Sequence, residues 1–484
     1  MSRETGEASR VAVAPGEQQH ASLTEALLAG SPSGRLAVPH IAVIGGGITG
    51  LTAAYRLARR GFRVTLWERG EKLGGQANAF PVAGTAIERF YHHLFQSDRD
   101  IIALAEEIGI GDRLVWLPSN VGYFADGRIW PLNGALDLLR LGFLPLHDRI
   151  RIGLVTAYLQ RVRNWKRFER VTAAEWLRRA LGTRAYNRTF GAQLRAKFGR
   201  YHDQVAMVWF WGKIWLRTTS RRSPLEGERL GYFKGSFNTL IDALANAARD
   251  AGAALCVGAG PNELRSRMGG GWDVVLDDET VPVDVVIVTT PSPVLARLAP
   301  ELPEPYRQKL GGLEYEGAIV ALLQLSRPLS NIYWLNIADD DLPFTGVIEQ
   351  TNFISPAAYG GKRFVYLSKY LEPDHPYFTM PDDELIETYI PFLRRINPAF
   401  DRSWIERAWV FRERSAQPII PLDYGERIPD HRTGLPGLYL ANTTQIYPED
   451  RGTNYSVRLG DRIATLVAAD LAAAPLSHRS GRGG

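Results

Sequence analysis

The segment Gly45-Gly46-Gly47-Ile48-Thr49-Gly50 follows the apolar run His40-Ile41-Ala42-Val43-Ile44 and precedes Leu51, Ala54, Leu57 and Ala58 at helical spacing. That order of strand, glycine turn and helix is the tightest constraint the chain carries. An unbroken apolar run suits a strand buried on both faces. A second strand over Arg63 to Trp67 ends at Glu68 and closes a βαβ unit within about 30 residues. In such a turn Gly45 permits the tight reversal, Gly47 leaves the backbone open to a pyrophosphate, and Gly50 lets helix and strand pack closely. The phosphates then lie at the positive end of the helix. Glu68 stands 18 positions beyond Gly50, where a carboxylate accepts from ribose hydroxyls and disfavours a 2′-phosphate. A dinucleotide is therefore expected.

Composition narrows the class around this unit. The 484 residues leave room for two or three domains, and 45% hydrophobic with 23% charged residues is a globular balance. The formal net charge of +5 reads as spread over the whole length, so nucleic acid is not implied. Cys256 is the only cysteine, which excludes an intramolecular disulfide and a multi-cysteine metal site and fits a reduced, cytoplasmic setting. Residues 1–38 lack the apolar core of a secretory signal and read as a disordered tail, as do residues 476–484. No run of about 18 apolar residues occurs. Leu136 to Lys166 reads as two helical stretches broken near Pro145, with apolar positions among Arg140, Arg149, Arg151, Arg161, Arg163 and Lys166. A helix lying on an anionic bilayer shows this pattern, and so does a helix docked on its own domain. Peripheral membrane contact is thus one of two readings.

Six positions beyond Glu68 comes Gly74-Gly75-Gln76. This resembles the second glycine motif of FAD enzymes of the amine oxidase, protoporphyrinogen oxidase and phytoene desaturase superfamily, whose fold is glutathione-reductase-like. The resemblance implies FAD as cofactor, with Arg69 beside the acidic residue. Gln76 departs from the arginine many relatives have there. Gly437-Leu-Tyr-Leu-Ala-Asn442 is similar to the last strand of such proteins, and Asp450-Arg-Gly-Thr-Asn-Tyr455 to the start of a helix aimed at the flavin. Asn442, Gly452, Thr453, Asn454 and Tyr455 are the cofactor positions this implies. The resemblance also puts an adenine clasp near Pro261, a residue with no N–H to donate.

The expected fold class is α/β: a Rossmann FAD domain with a mixed α+β substrate domain of antiparallel sheet plus helical insertion. The FAD domain would comprise residues 39–115, 226–300 and 426–475. The substrate domain would comprise a helical insertion over 116–225 and a sheet with helices over 301–425.

Candidates for chemistry are fewer. His92 and His93, in Ile87-Glu-Arg-Phe-Tyr-His-His-Leu-Phe95, have reference pKa values suited to proton transfer near neutrality, and a similar histidine segment occurs in UDP-galactopyranose mutases. Adjacent strand side chains face opposite ways, so at most one should face the flavin. Arg89 and Tyr91 flank them as substrate candidates. Trp209, Trp211 and Trp215, near Lys197 and Lys213, suit either a pocket for a substrate with an anionic end or an aromatic core with a solvated basic face. Tyr232 and Lys234 lie in a glycine-bounded turn. Strand alternation adds Tyr333, Glu349 and Tyr370, and Arg414 is a candidate for holding an anion. No metal site is expected. Together these readings imply an FAD-dependent oxidoreductase that abstracts hydride from, desaturates or dehydrogenates a bulky, partly apolar metabolite. Oxygen, a quinone or a protein would accept the electrons, and no oligomeric state is assigned. A non-redox nucleotide-sugar mutase using reduced FAD is the alternative, and a noncatalytic FAD-bound protein the third reading.

Overall fold

The computed structural model describes residues 38–219 and 227–473. Both expected tails, apart from Val38, lie outside the described residues. Five parallel strands form one sheet in the order Leu438–Leu440, Val285–Val288, His40–Ile44, Arg63–Glu68, Ala254–Val257. Alternation along the central strand explains the layering. Ile41 and Val43 face helices Ile48–Ala58, Asn238–Asp250 and Thr453–Ala473, packing with Leu51, Leu240, Leu244, Val457 and Ile463. Ala42 and Ile44 face the other way, onto Trp272, Val274, Leu295 and Leu298. Buried on both faces, such a strand has no need of polar alternation.

A second sheet has seven strands in the order Ile405–Pro418, Tyr315–Leu325, Arg363–Leu371, Gly346–Glu349, Trp334–Ile337, Val121–Ala125, Arg128–Pro131. Only the contact of Trp334–Ile337 with Val121–Ala125 is parallel. Ile319, Ala321, Leu323 and Leu367 pack on helix Asp382–Ile396. Val320, Leu322 and Tyr366 point to the opposite face, where the first core lies. Helices Leu146–Leu159, Ala173–Leu181, Thr183–Arg188, Phe190–Phe198 and Met207–Thr219 form a separate bundle.

Two elements differ from expectation. The segment 116–225 opens with strands, two of which complete the seven-stranded sheet, because Val121–Ala125 is buried throughout and pairs on one edge with the neighbouring Arg128–Pro131 and on the other with the distant Trp334–Ile337. The stretch carrying Arg412 and Arg414 is a 14-residue strand, the principal partner of Tyr315–Leu325. Its charged residues mask the alternation that would reveal it.

Candidate active site and cofactor cradle

Each glycine of the first motif has a separate reason. Gly45 adopts φ +109°, and a Cβ there would lie 2.6 Å from Thr289 Oγ1. A Cβ on Gly50 would lie 2.0 Å from the Gly45 carbonyl oxygen, so helix and turn pack too closely for any side chain. At Gly47 a Cβ meets nothing within 4 Å, which leaves open space in front of the first turn of helix Ile48–Ala58. No side chain among the described residues caps that helix, which leaves its first N–H groups to an anion. Gly74 pairs with Gly47 through a backbone bridge and donates to the Gly46 carbonyl at 2.8 Å, which sets the two glycine motifs side by side. Gly75 has φ +55°.

Glu68 accepts from the Gly46 N–H and the Gly70 N–H, each at 2.7 Å. Its carboxylate therefore props the loop and keeps further lone pairs for hydroxyls. Arg69 donates to the Pro261 carbonyl at 2.6 Å, tying the acidic strand end to the segment near the expected adenine clasp. Gln76 reaches the Ser415 carbonyl at 3.2 Å. The Arg89 Nε is buried with no partner among the described residues, and its guanidinium lies 5.8 Å from the Phe411 ring centroid. An open glycine cradle, an uncapped helix and an orphaned guanidinium N–H fit a bound dinucleotide.

Asn442 is a locking residue. It caps the turn Thr443–Gln445 and donates to the Thr290 carbonyl and Ser292 Oγ at 3.0 and 3.1 Å, pinning two strand ends together. At the start of helix Thr453–Ala473, Thr453 is buried, Gly452 packs beside the Tyr455 ring, and Arg458 stacks over that ring. Asn454 accepts from the Ile101 N–H and donates to Asp100, both at 3.0 Å, which docks helix Arg99–Glu107.

Beside this helix start lies a partly buried charged cluster. Arg451 donates to Gln417 Oε1 at 3.1 Å and to the Tyr370 hydroxyl at 3.0 Å. Asp450 accepts from Trp209 Nε1 at 2.9 Å and Gln417 Nε2 at 3.0 Å, and pairs with Lys213. Lys197 Nζ sits 4.0 Å from the Tyr370 ring centroid. Burial acts to raise the Tyr370 phenol, but Lys197, Arg451 and Lys213 outweigh it and bring the phenol down to about 8. Asp450 is likewise pushed up by burial, yet Lys213, Lys197 and Arg451 hold it well below the usual carboxylate range. Tyr91 shares a 3.2 Å hydrogen bond with Ser368 and meets Trp334 edge-on at 5.0 Å.

The histidines stand beside this group in extended chain that first pairs at Leu94, not within a strand. His92 Nδ1 is 2.6 Å from the Phe90 carbonyl. A carbonyl only accepts, so Nδ1 carries the hydrogen and Nε2 is the acceptor. His93 Nδ1 shares a 3.1 Å bond with Tyr333. Burial lowers His92 to about 4 and His93 to about 3, with Arg217 the next cause for His93, so both are neutral at pH 7.

Other expected substrate residues are occupied elsewhere. Tyr232 donates to both oxygens of Glu88 at 2.9 and 2.8 Å, and Lys234 is exposed. Glu349 points opposite to Ile348, accepting the N–H groups of Leu329 and Ser330 at 3.1 and 2.7 Å. Arg414 donates to the Pro373 carbonyl and stacks on Phe378. These contacts hold turns and strand ends, because a strand's alternation says which residues share a face but not which face meets the cavity. Sequence reasoning gave Asp450, Arg451 and Gln417 no role, and only Asp450 and Arg451 left a signal, as charges directly before a helix start.

A family model described as flavin containing amine oxidoreductase matches residues 48–449. The chain belongs to that family. It is an FAD-dependent oxidoreductase with FAD as cofactor. Carotenoid phi-ring synthase of Streptomyces griseus is 25% identical over 368 residues, which is 68% of this chain and 67% of that one. Phytoene dehydrogenase of the same organism is 27% identical over 56% of this chain and 58% of its own length. The structure of reduced UDP-galactopyranose mutase superposes with a TM-score of 0.68 at 17% identity, covering 92% of this chain and 98% of that one. Such a likeness shows a shared fold. Among the described residues no helix is long and apolar enough to cross a membrane, and no metal-binding group occurs.

Proposed function

We propose that the enzyme oxidises a bulky, partly apolar metabolite bearing an anionic group, by hydride transfer from a C–H bond. One observation carries this reading: Lys197, Lys213 and Arg451 surround a single carboxylate, Asp450, between the aromatic side chains of Trp209 and Tyr370. Partly buried cations in excess of their carboxylates are costly, and an anionic group offsets that cost. The names of the relatives, one for a carotenoid and one for phytoene, support the apolar part.

The substrate C–H bond breaks with both electrons leaving as hydride. Bound FAD supplies the two-electron sink for it, and oxygen, a quinone or a protein later takes the pair. Gly47, Glu68, Gly74 and Gly75 would hold the dinucleotide in the turn that Gly45 and Gly50 shape, with Arg89 donating its free Nε–H. Arg451, Lys197 and Lys213 orient the anionic end. Tyr370, its phenol lowered by those cations, acts as phenolate and takes at its oxygen the proton released from the atom next to the reacting carbon as the new double bond forms, and the acceptor Nε2 of neutral His92 is the second proton-holding atom. The aromatic walls exclude water. We place the enzyme in the cytoplasm.

The mutase reading stands second, favoured by the His92-His93 segment beside the cations. Anaerobic mixing of the oxidised enzyme with apolar carboxylic acids and their methyl esters separates the two. Bleaching of the flavin by an acid, with its ester at least about tenfold slower, is the expected result. Conversion of a nucleotide sugar by the reduced enzyme alone, with no bleaching by any acid, would assign the mutase.

A further inference from the structure

Nine large apolar side chains stand exposed among the described residues, and six of them fall between positions 136 and 158: Leu136 (70% exposed), Leu139, Leu146, Ile150, Leu154 (68%) and Tyr158. On helix Leu146–Leu159, the last four recur every fourth residue and so form one row along the helix. Ile152 and Leu159 turn the other way, into the core with Phe168 and Leu177. The helix is therefore apolar on two faces, one packed into the core and the other exposed, with Tyr158 at the end of the exposed row stacked on Trp176 at 6.2 Å.

The same stretch carries the charge. Residues 135–170 hold eight arginines and lysines against Asp137, Asp148 and Glu169, a surplus equal to the +5 of the entire chain. The excess is thus gathered, correcting the even spread expected from composition. Arg149, Arg151 and Arg161 donate to backbone carbonyls, and none of them has a carboxylate partner among the described residues. Arg163 and Lys166 are exposed and have no carboxylate partner among the described residues. Arg167 lies over the Tyr158 ring at 5.8 Å, so basic groups border the apolar row at that end, as the exposed Arg140 does beside Leu136 and Leu139.

We propose that this face seats the protein on an anionic lipid bilayer, with Leu146, Ile150, Leu154 and Tyr158 entering the headgroup boundary and the flanking basic residues meeting lipid phosphates. Charge selects the occupant. A second copy of the chain would bring one surplus of five against another, whereas an anionic surface attracts it. The inference rests on exposure and charge and stands independently of the substrate reading.

Flotation of the flavin-loaded full-length protein with phosphatidylcholine vesicles, with or without phosphatidylglycerol, tests it. The expected result is at least about tenfold more protein on the phosphatidylglycerol vesicles, decreasing as salt rises. Ile150→Asp with Leu154→Asp should abolish flotation at unchanged flavin content and melting temperature. Should that variant lose its flavin, Arg163→Gln with Lys166→Gln makes the same test through charge alone, and should lower flotation several-fold. Equal partition to both vesicles, or none to either, would overturn the proposal. So would a wild-type dimer that Ile150→Asp with Leu154→Asp converts to a monomer, which would give the face to a second copy.

Discussion

Whether a glycine serves the ligand or the fold follows from what its missing Cβ would meet. At Gly47 that space is empty, and at Gly50 it lies 2.0 Å from a carbonyl oxygen. Gly47→Val should therefore fold with an unchanged apoprotein melting temperature and purify colourless, while Gly50→Ala should lose about 1–3 kcal/mol of apoprotein stability, as overpacked sites do. Flavin content and urea unfolding check the pair, and normal flavin in Gly47→Val would contradict the cradle. Among the charged residues, Lys197 does most to lower the Tyr370 phenol. A base works when deprotonated, so activity should rise with pH through about 8, and Lys197→Met should carry that limb upward toward the ordinary phenol value of about 10. A limb that stays in place removes Tyr370 from the proton step. His92 and His93 make different bonds, so their alanine variants should differ in turnover; equal, negligible losses would make both structural.

The hairpin Ala79–Val82 with Thr85–Glu88 sets the position of the histidine segment, and Glu88 fixes the hairpin. Its carboxyl accepts from Tyr232 and from the Phe237 N–H at 2.7 Å, while its carbonyl accepts from Tyr366 at 2.8 Å. One residue thus joins the hairpin, the segment after Arg229 and the seven-stranded sheet. Tyr232→Phe should cost about 1–2 kcal/mol, and Glu88→Ala about 3, because it leaves two buried donors unpaired. Urea denaturation at pH 6 measures both, and a neutral Glu88→Ala would dismiss the joint. At this scale the sequence was legible where structure is local. The βαβ unit, the break before Leu146 and the helix ending at Ala473 follow from neighbours within a few residues. Tyr232 was legible as buried-site chemistry but not as a partner of Glu88, 144 positions away. Lys197 and Tyr370 likewise come from separate elements whose meeting no spacing records.

Across the whole molecule, buried acids and buried histidines pull stability in opposite directions with pH. Burial raises Glu88, Asp98 and Glu349 to about 7 and Glu316 to about 8. In the window between their unfolded values and those numbers the folded state holds more protons, so stability falls as pH rises. Burial lowers His40 and His92 to about 4 and His93 to about 3. Between those values and about 6.5 the unfolded state holds more protons, so stability falls as pH drops. The two sets oppose each other from about pH 4.5 to 6.5. Four acids outweigh three histidines, so urea midpoints should fall gently there and more steeply toward pH 8, and a midpoint still rising at pH 8 would contradict the burial of the four acids. The cradle and the cations support the central proposal, that this chain binds FAD and reduces it with an anionic, partly apolar substrate. Its most direct test is the absorbance spectrum of the purified protein, recorded before and after anaerobic addition of apolar carboxylic acids. Oxidised-flavin bands that bleach with an acid are the predicted result; a colourless protein that takes up no added FAD would contradict the account.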